Sequence, residues 1–216
     1  MNTNLTSVVI CCAGMGTRLG IGTTKALVDI CGKPLIIRQL ELLDDYDDIR
    51  IVVGYQAERV IDVVTQYRQD VVFAFNYDFE TTGVAVSLKK GLLRARKYTV
   101  AMDGDLLVNP MDFHKFLNYN GECLAASKRN SSEPILMEMQ NEQVVGFSEN
   151  EGQFEWPGLA KLQTNKLKGD FEYVYDMIQP LLPMKPIIVR TREIDTPEDY
   201  EKAIEWVKNG YIDEER

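Results

Sequence analysis

Glycine, arginine and lysine crowd one short stretch of the chain. Residues 11–35 read CCAGMGTRLGIGTTKALVDICGKPL. Gly14 and Gly16 follow an apolar run, with Arg18 and then Lys25 downstream. Glycine lets backbone N–H groups turn inward and approach an anion closely. Arginine grips phosphate oxygens with a planar fork, and lysine acts as a point charge. The stretch therefore reads as a phosphate cradle. A dinucleotide fingerprint needs a third glycine where Leu19 stands, and a Walker loop needs Gly-x-x-x-x-Gly-Lys-Ser/Thr; the sequence has neither.

A cradle of this kind works at the carboxyl end of a parallel strand, and the flanking sequence supplies one. Residues 7–12 (SVVICC) read as a buried strand, and residues 34–43 as a helix with proline in its first turn. Strands follow at 50–53, 71–75 and 99–102, the last running on into DGDLLV. Helices fall at 57–67 and 84–96. This alternation predicts a doubly wound, mostly parallel, Rossmann-like α/β sheet. The rhythm breaks after it. Residues 124–147 read as short strands with a hairpin turn at Asn141-Glu142, 170–182 as a helix ending at prolines, and 187–189 as a returning strand. Thr196 then caps a terminal amphipathic helix over 196–209, with proline and acidic residues in its first turn. No linker or repeat divides the chain, so 1–216 reads as one domain with a small insertion over about 127–183.

Composition narrows the partners. A formal net charge of −9 leaves no broad basic face for nucleic acid. No segment approaches the roughly 20 apolar residues of a membrane span, and the N-terminus lacks the charged, then apolar, pattern of a signal peptide. The expected location is the cytoplasm. Cys11, Cys12, Cys31 and Cys123 have no metal-ligand or redox spacing and read as reduced thiols. The single histidine, His114, falls in a surface-helix pattern without a nucleophile elbow beside it.

The run Ala13-Gly14-Met15-Gly16-Thr17-Arg18-Leu19, the later Lys25 and the GKPLI that follows resemble the signature of the sugar-phosphate and alcohol-phosphate nucleotidylyltransferases. The likeness extends over nearly the whole chain and is greatest to the small bacterial phosphocholine cytidylyltransferases. IVVGYQAE, FNYDFETTGVAVSL, MDGDLLV, DFEYVYDMI and REIDTPEDYEKA are similar to successive segments of those enzymes. The resemblance implies transfer of a nucleoside monophosphate from a triphosphate, CTP being favoured, to a small phosphorylated acceptor, with release of pyrophosphate. It implies Mg²⁺ on Asp105 and Asp195. It implies Arg18 and Lys25 on the triphosphate, and Lys161 on the acceptor phosphate with Lys128 as a weaker candidate. Ala13, Gly14, Met15, Gly16 and Thr17 would hold phosphates. Tyr55, Asn76, Thr81, Thr82, Gly83 and Ser87 would lie at the base, and Asp103 at the ribose. Trp156, Glu172, Tyr173, Tyr175 and Asp176 would meet an acceptor, rings and carboxylates together suiting an ammonium group. A helix shows a pocket only one face, so these five cannot all line it. A cell-surface polysaccharide pathway and a homodimer are compatible with the same resemblance.

Two further readings stay open. Gly83 followed by small residues resembles the G-T-x-x-A of hexose-1-phosphate enzymes, which makes a sugar-1-phosphate nucleotidylyltransferase the second reading. A non-catalytic nucleotide-binding relative is the third; it would be expected to lose a charge from the set Arg18, Lys25, Asp105 and Asp195, which is complete here. Leu19 and Lys25 disfavour a dehydrogenase.

Overall fold

The computed structural model describes residues 3–213. A seven-stranded sheet forms its centre. Strands β1 (Thr6–Cys12), β2 (Ile49–Val53), β3 (Val71–Phe75) and β4 (Tyr98–Asp103) run parallel, with β1 between β2 and β4. The chain leaves β1 toward β2 and β3, then returns to β4 on the other side. That reversal opens a crevice beyond the carboxyl ends of β1 and β4.

Burial on both faces explains the apolar runs of these strands. Along β1, Val8, Ile10 and Cys12 pack with α1 (Leu35–Glu41) and α2 (Ala57–Tyr67), while Val9 packs on the opposite side with α3 (Val84–Gly91). The helix expected over 84–96 stops at Gly91, where a Cβ would lie 2.4 Å from Val9. Arg94 then takes a positive φ.

The strand expected to run from Thr99 through DGDLLV is two strands. β4 ends at Asp103, and β5 (Leu106–Val108) leaves the main sheet. Gly104 turns against β1: its N–H donates to the Cys11 carbonyl at 3.0 Å, and a Cβ would lie 2.6 Å from that oxygen. Buried Gln39 on α1 braces the break, its Nε2 donating to the carbonyls of Asp103 at 2.9 Å and Leu106 at 2.7 Å.

The second half wraps this frame. α4 (Pro110–Asn118) carries His114 on its exposed side, beside Asn118. β6 (Cys123–Ala126) lies next but one to β4. β7 (Leu136–Gln140) and β8 (Gln143–Ser148) form the expected hairpin, with Asn141 and Glu142 both at positive φ. β9 (Phe154–Glu155) pairs with β7. β10 (Leu159–Gln163), which the sequence reading missed, inserts antiparallel between β4 and β6. α5 (Val174–Ile178) is shorter than the helix expected over 170–182. β11 (Lys185–Ile188) closes the sheet edge beside β6, and β12 (Thr191–Glu193) returns to pair with β5. α6 (Pro197–Lys208) ends the fold behind a capping box of Thr196 and Asp199. Among the described residues, no helix is long and apolar enough to cross a membrane.

Candidate active site

Four of the charged residues picked out in the sequence meet at one point. The Lys25 ammonium touches Asp105 at 2.8 Å and also Asp195. Arg18 reaches Asp195 at 2.9 Å with one nitrogen and Glu133 at 2.9 Å with another. Local structure explains the convergence. Asp105 follows the Gly104 turn at the end of β4, and Asp195 follows β12, which pairs with β5 just beyond that turn. The Ile194 N–H donates to the Asp105 carbonyl at 3.1 Å, so the two aspartates are tied through the backbone. Gly16 has φ +61° and lies on the Lys25 side chain, where a Cβ would come within 2.8 Å of Lys25 Cγ. The glycine thus makes room for the lysine as well as for a ligand.

Burial opposes the Lys25 charge, but Asp105 and Asp195 overcome it and hold the ammonium firmly protonated. Buried Asp103 behaves oppositely: burial and the charge of Asp105 push its carboxyl well up, against the pull of Lys25. Gly158, at φ +70°, leaves space for it; a Cβ there would fall 2.0 Å from an Asp103 oxygen. Burial likewise pushes the thiols of Cys11 and Cys12 up, with Asp103 and Asp105 adding to it, so neither is a nucleophile in waiting.

Three cavities join here. One of about 250 Å³ lies over Gly14, Gly16, Thr17, Arg18 and Lys25. A second, about 270 Å³, is walled by Ala13, Phe79, Thr82, Gly83, Ser87 and Asp103. A third, about 250 Å³, runs from Arg18 and Lys25 to Trp156, Tyr173, Tyr175 and Glu193. Asp105 borders all three.

Several expected residues stand elsewhere or act indirectly. Lys161 is not at this junction. It lies within β10, opposite Val100, and donates to the Leu117 and Tyr119 carbonyls at 2.9 and 2.8 Å, closing the C-terminal end of α4. Asp176 is exposed and borders none of the three cavities. Glu172 contributes its backbone, the Ala85 N–H donating to its carbonyl at 3.1 Å. Asn76 is buried and spends its amide nitrogen on Thr82 Oγ1 and Ser87 Oγ, both at 3.0 Å, so it orients the base-side wall from behind. Tyr55 stands behind Phe79, ring centroids 6.1 Å apart, and its N–H donates to the Ala13 carbonyl at 3.0 Å. Met15 and Thr81 also lie off the cavity walls, Met15 half-exposed. Lys128 borders a different cavity.

Phe79, Glu193 and Glu155 were missed. Glu193 is two residues before Asp195, and strand alternation sets both toward one side. Burial pushes its carboxyl well up, and Asp105, Glu155, Asp103 and Asp195 push the same way. Buried Glu155 accepts from the N–H groups of Asn130 and Ser131 and from the Ser131 hydroxyl, fixing the loop that carries Glu133.

A glycine loop facing paired carboxylates and two cations, at the switch point of a parallel sheet, is the layout of an α/β protein that handles nucleotide phosphates. The chain belongs to the MobA-like NTP transferase domain family, whose model matches residues 8–154. It is 31% identical over 130 residues to the bifunctional protein GlmU of Sulfurimonas denitrificans, a match covering 57% of this chain and 29% of that protein. The chain thus spans well under two thirds of that relative's length. Among solved structures it is similar to the CTP:phosphocholine cytidylyltransferase LicC of Streptococcus pneumoniae, with TM-score 0.74, 22% identity, and 94% and 99% of the two chains covered. It is also similar to HddC of Yersinia pseudotuberculosis in complex with GMP-PN, with TM-score 0.72, 23% identity, and 93% and 99% covered. These likenesses establish the shared fold.

Proposed function

We propose that the chain is a nucleotidylyltransferase that moves a nucleoside monophosphate from a triphosphate, CTP being favoured, to a small phosphorylated acceptor. The observation that carries this reading is the meeting of Arg18, Lys25, Asp105 and Asp195 where the phosphate, base-side and aromatic cavities join.

In this reaction an acceptor phosphate oxygen attacks the α-phosphorus. The bond to the bridging oxygen breaks, and pyrophosphate leaves with the electron pair. The attacking oxygen is already ionised at neutral pH, so no general base is required. Positioning and charge stabilisation supply the catalysis. On this reading the chain's own residues bind and position the substrates. Arg18 and Lys25 turn from their carboxylate partners to phosphate oxygens. Gly14 and Gly16 keep the backbone open above β1. Thr82, Gly83, Ser87 and Phe79 wall the base, and Asp103 the ribose.

Asp105 and Asp195 suit a magnesium ion: one ammonium touches both, so their oxygens converge on a cation-sized position. Among the described residues no cluster of three or more His, Cys, Asp or Glu side chains could hold a metal, and two carboxylates with substrate oxygens and water are what Mg²⁺ usually takes. Bound there, it would neutralise triphosphate charge.

Trp156, Tyr173 and Tyr175 line the third cavity, and rings of this kind suit an acceptor carrying an ammonium group. Residues 127–183 then act as the acceptor lobe of a single domain. The second reading, a sugar-1-phosphate acceptor, is favoured by Gly83 and the small residues after it, as in hexose-1-phosphate enzymes; Gly83 packs so closely on Glu172 that a Cβ would lie 2.1 Å from its carbonyl oxygen.

A grid of five nucleoside triphosphates against phosphocholine, phosphoethanolamine, aminoethylphosphonate, phosphorylated amino acids and hexose 1-phosphates, read by pyrophosphate release with Mg²⁺, tests this. Release with CTP and an amine-bearing phosphate supports the first reading. Release only with a hexose 1-phosphate selects the second. Triphosphate binding with no release from any pair would overturn both.

A further inference from the structure

A further cavity, larger than any of the three above, lies outside the cleft. It measures about 570 Å³ and sits between the segment after β6, strand β12 and helix α6. Lys128 and Arg129 form one wall, and neither has an acidic partner among the described residues. The acids near them are largely committed. Asp213 pairs with Arg192 at 2.6 Å, and Asp199 is spent in the cap of α6. Arg192 in turn lies over the Trp206 ring, 4.8 Å from its centroid. Trp206 lines the cavity, and its buried indole N–H has no acceptor among the described residues. Glu205 borders it from α6, without a side-chain partner among the described residues.

We infer that this cavity is a second binding site, for a small phosphate monoester that also carries hydroxyl or amine groups. Lys128 and Arg129 are placed for the phosphate, Glu205 for the donor groups, and the Arg192–Trp206 stack for the organic body. In a chain of net charge −9, two cations on one cavity wall with no acidic partner among the described residues are the local exception that an anion can use. The site goes beyond the transfer reaction and does not depend on it. It is nonetheless joined to the cleft. Lys128 to Asn130 lead directly into Ser131 and Glu133 of the third cavity, and Glu193 borders both spaces. Asn130 fastens the wall, its Nδ2 donating to the Thr191 carbonyl at 3.2 Å. The two spaces therefore share one fastened loop and the Glu193 side of β12.

The chain has two tryptophans, so Trp156→Phe leaves Trp206 as the sole indole reporter. Titration of that protein with glycerol 3-phosphate is expected to change Trp206 emission saturably, while glycerol does nothing. Adding Lys25→Ala should leave the response in place, because Lys25 belongs to the cleft. Adding Arg129→Glu, at an exposed position without a side-chain hydrogen bond or ion pair among the described residues, should weaken the apparent affinity by about ten-fold or more. Lys128→Ala should weaken it in the same direction. No response at millimolar ligand, an equal response to glycerol, loss with Lys25→Ala, or indifference to Arg129→Glu would each overturn the site.

Discussion

Around Lys25 the cleft is walled by opposite charges in contact; around Trp156 it is walled by rings. The Phe147 ring lies 5.7 Å from Trp156 and 6.2 Å from Tyr175, and Tyr175 stacks on Tyr173 at 5.3 Å. The two walls should respond to damage differently. In a half-buried ion cluster each charge holds the others, so removing one leaves an uncompensated partner. In a ring cluster each member contributes its own increment and its neighbours remain in place. The first wall suits a step that must be all or nothing, the second a grip that can be graded.

The sharpest way to break this contrast is at the charges. Lys25→Ala and Asp105→Asn are each expected to lower turnover by about 10²–10³-fold, and to lower the melting temperature as well because a partner charge is left uncompensated. Near-normal pyrophosphate release by either variant would remove that residue from the chemistry. Arg18 is half exposed and its Glu133 partner more so, so that pair adds little to stability and its loss should show in nucleotide binding.

Gly83 tests both walls at once. A Cβ there would fall 2.1 Å from the Glu172 carbonyl, where the base-side wall meets the acceptor segment. Gly83→Ala is expected to cost about 1–3 kcal/mol of stability and to raise KM for both substrates. A rise for one substrate alone would show that the two sides move separately.

Trp156→Leu comes next. Its indole N–H donates to the Leu159 carbonyl at 3.1 Å and its ring borders the third cavity. The expected result is a rise of about ten-fold in acceptor KM with triphosphate KM unchanged, as the loss of one cation–π contact would give. Equal changes in both would make Trp156 a framework residue.

The same division governs how much could be read from the sequence. α2 at Ala57–Tyr67 and β3 at Val71–Phe75 fall where the periodicity put them, because each is a local element with a single period. Lys25 and Asp105 were legible through residue type and a recognisable glycine loop. β10 was not. Its partners, Val100 on one side and Cys123 on the other, are remote in sequence, and no local turn signal announces an antiparallel strand inside a parallel sheet. Lys161 was misplaced for that reason: in a loop after Trp-Pro-Gly it looks free for a phosphate, whereas in β10 its ammonium is drawn to two carbonyls. Glu193 was hidden in the same way, since its carboxylate meets Asp103 and Asp105 only after β12 has paired with β5.

Lys161 therefore offers a separate check. Burial lowers its pKa, and the Leu117 and Tyr119 carbonyls use two of its three protons. Lys161→Met is expected to leave turnover within about two-fold and to cost roughly 1–2 kcal/mol of stability, as two lost hydrogen bonds at a helix C-terminus would. A large fall in turnover with unchanged melting would return Lys161 to the acceptor phosphate.

The smallest expected effect lies outside both walls, at Asp112. It sits buried in the first turn of α4 and accepts from Arg190 Nε at 2.6 Å, joining that helix to the approach to β12. Burial pushes its carboxyl up, but the hydrogen bonds from Arg190 outweigh burial and hold it below the usual aspartate range. A group whose pKa is depressed by folding stabilises the native state above its unfolded pKa. That contribution is lost as pH falls through the folded pKa. Arg190 is over a third exposed, so the pair is worth only about 1 kcal/mol. Asp112→Asn should therefore lower the melting temperature slightly at pH 7, and the difference from the parent protein should shrink as pH drops below the ordinary aspartate range. β12 carries Glu193 and leads to Asp195, so a slackened Arg190 anchor should also weaken binding of the proposed Mg²⁺, and do so more than it raises acceptor KM. A change in acceptor KM larger than the change in Mg²⁺ binding would place the Asp112–Arg190 tie on the aromatic side of the cleft.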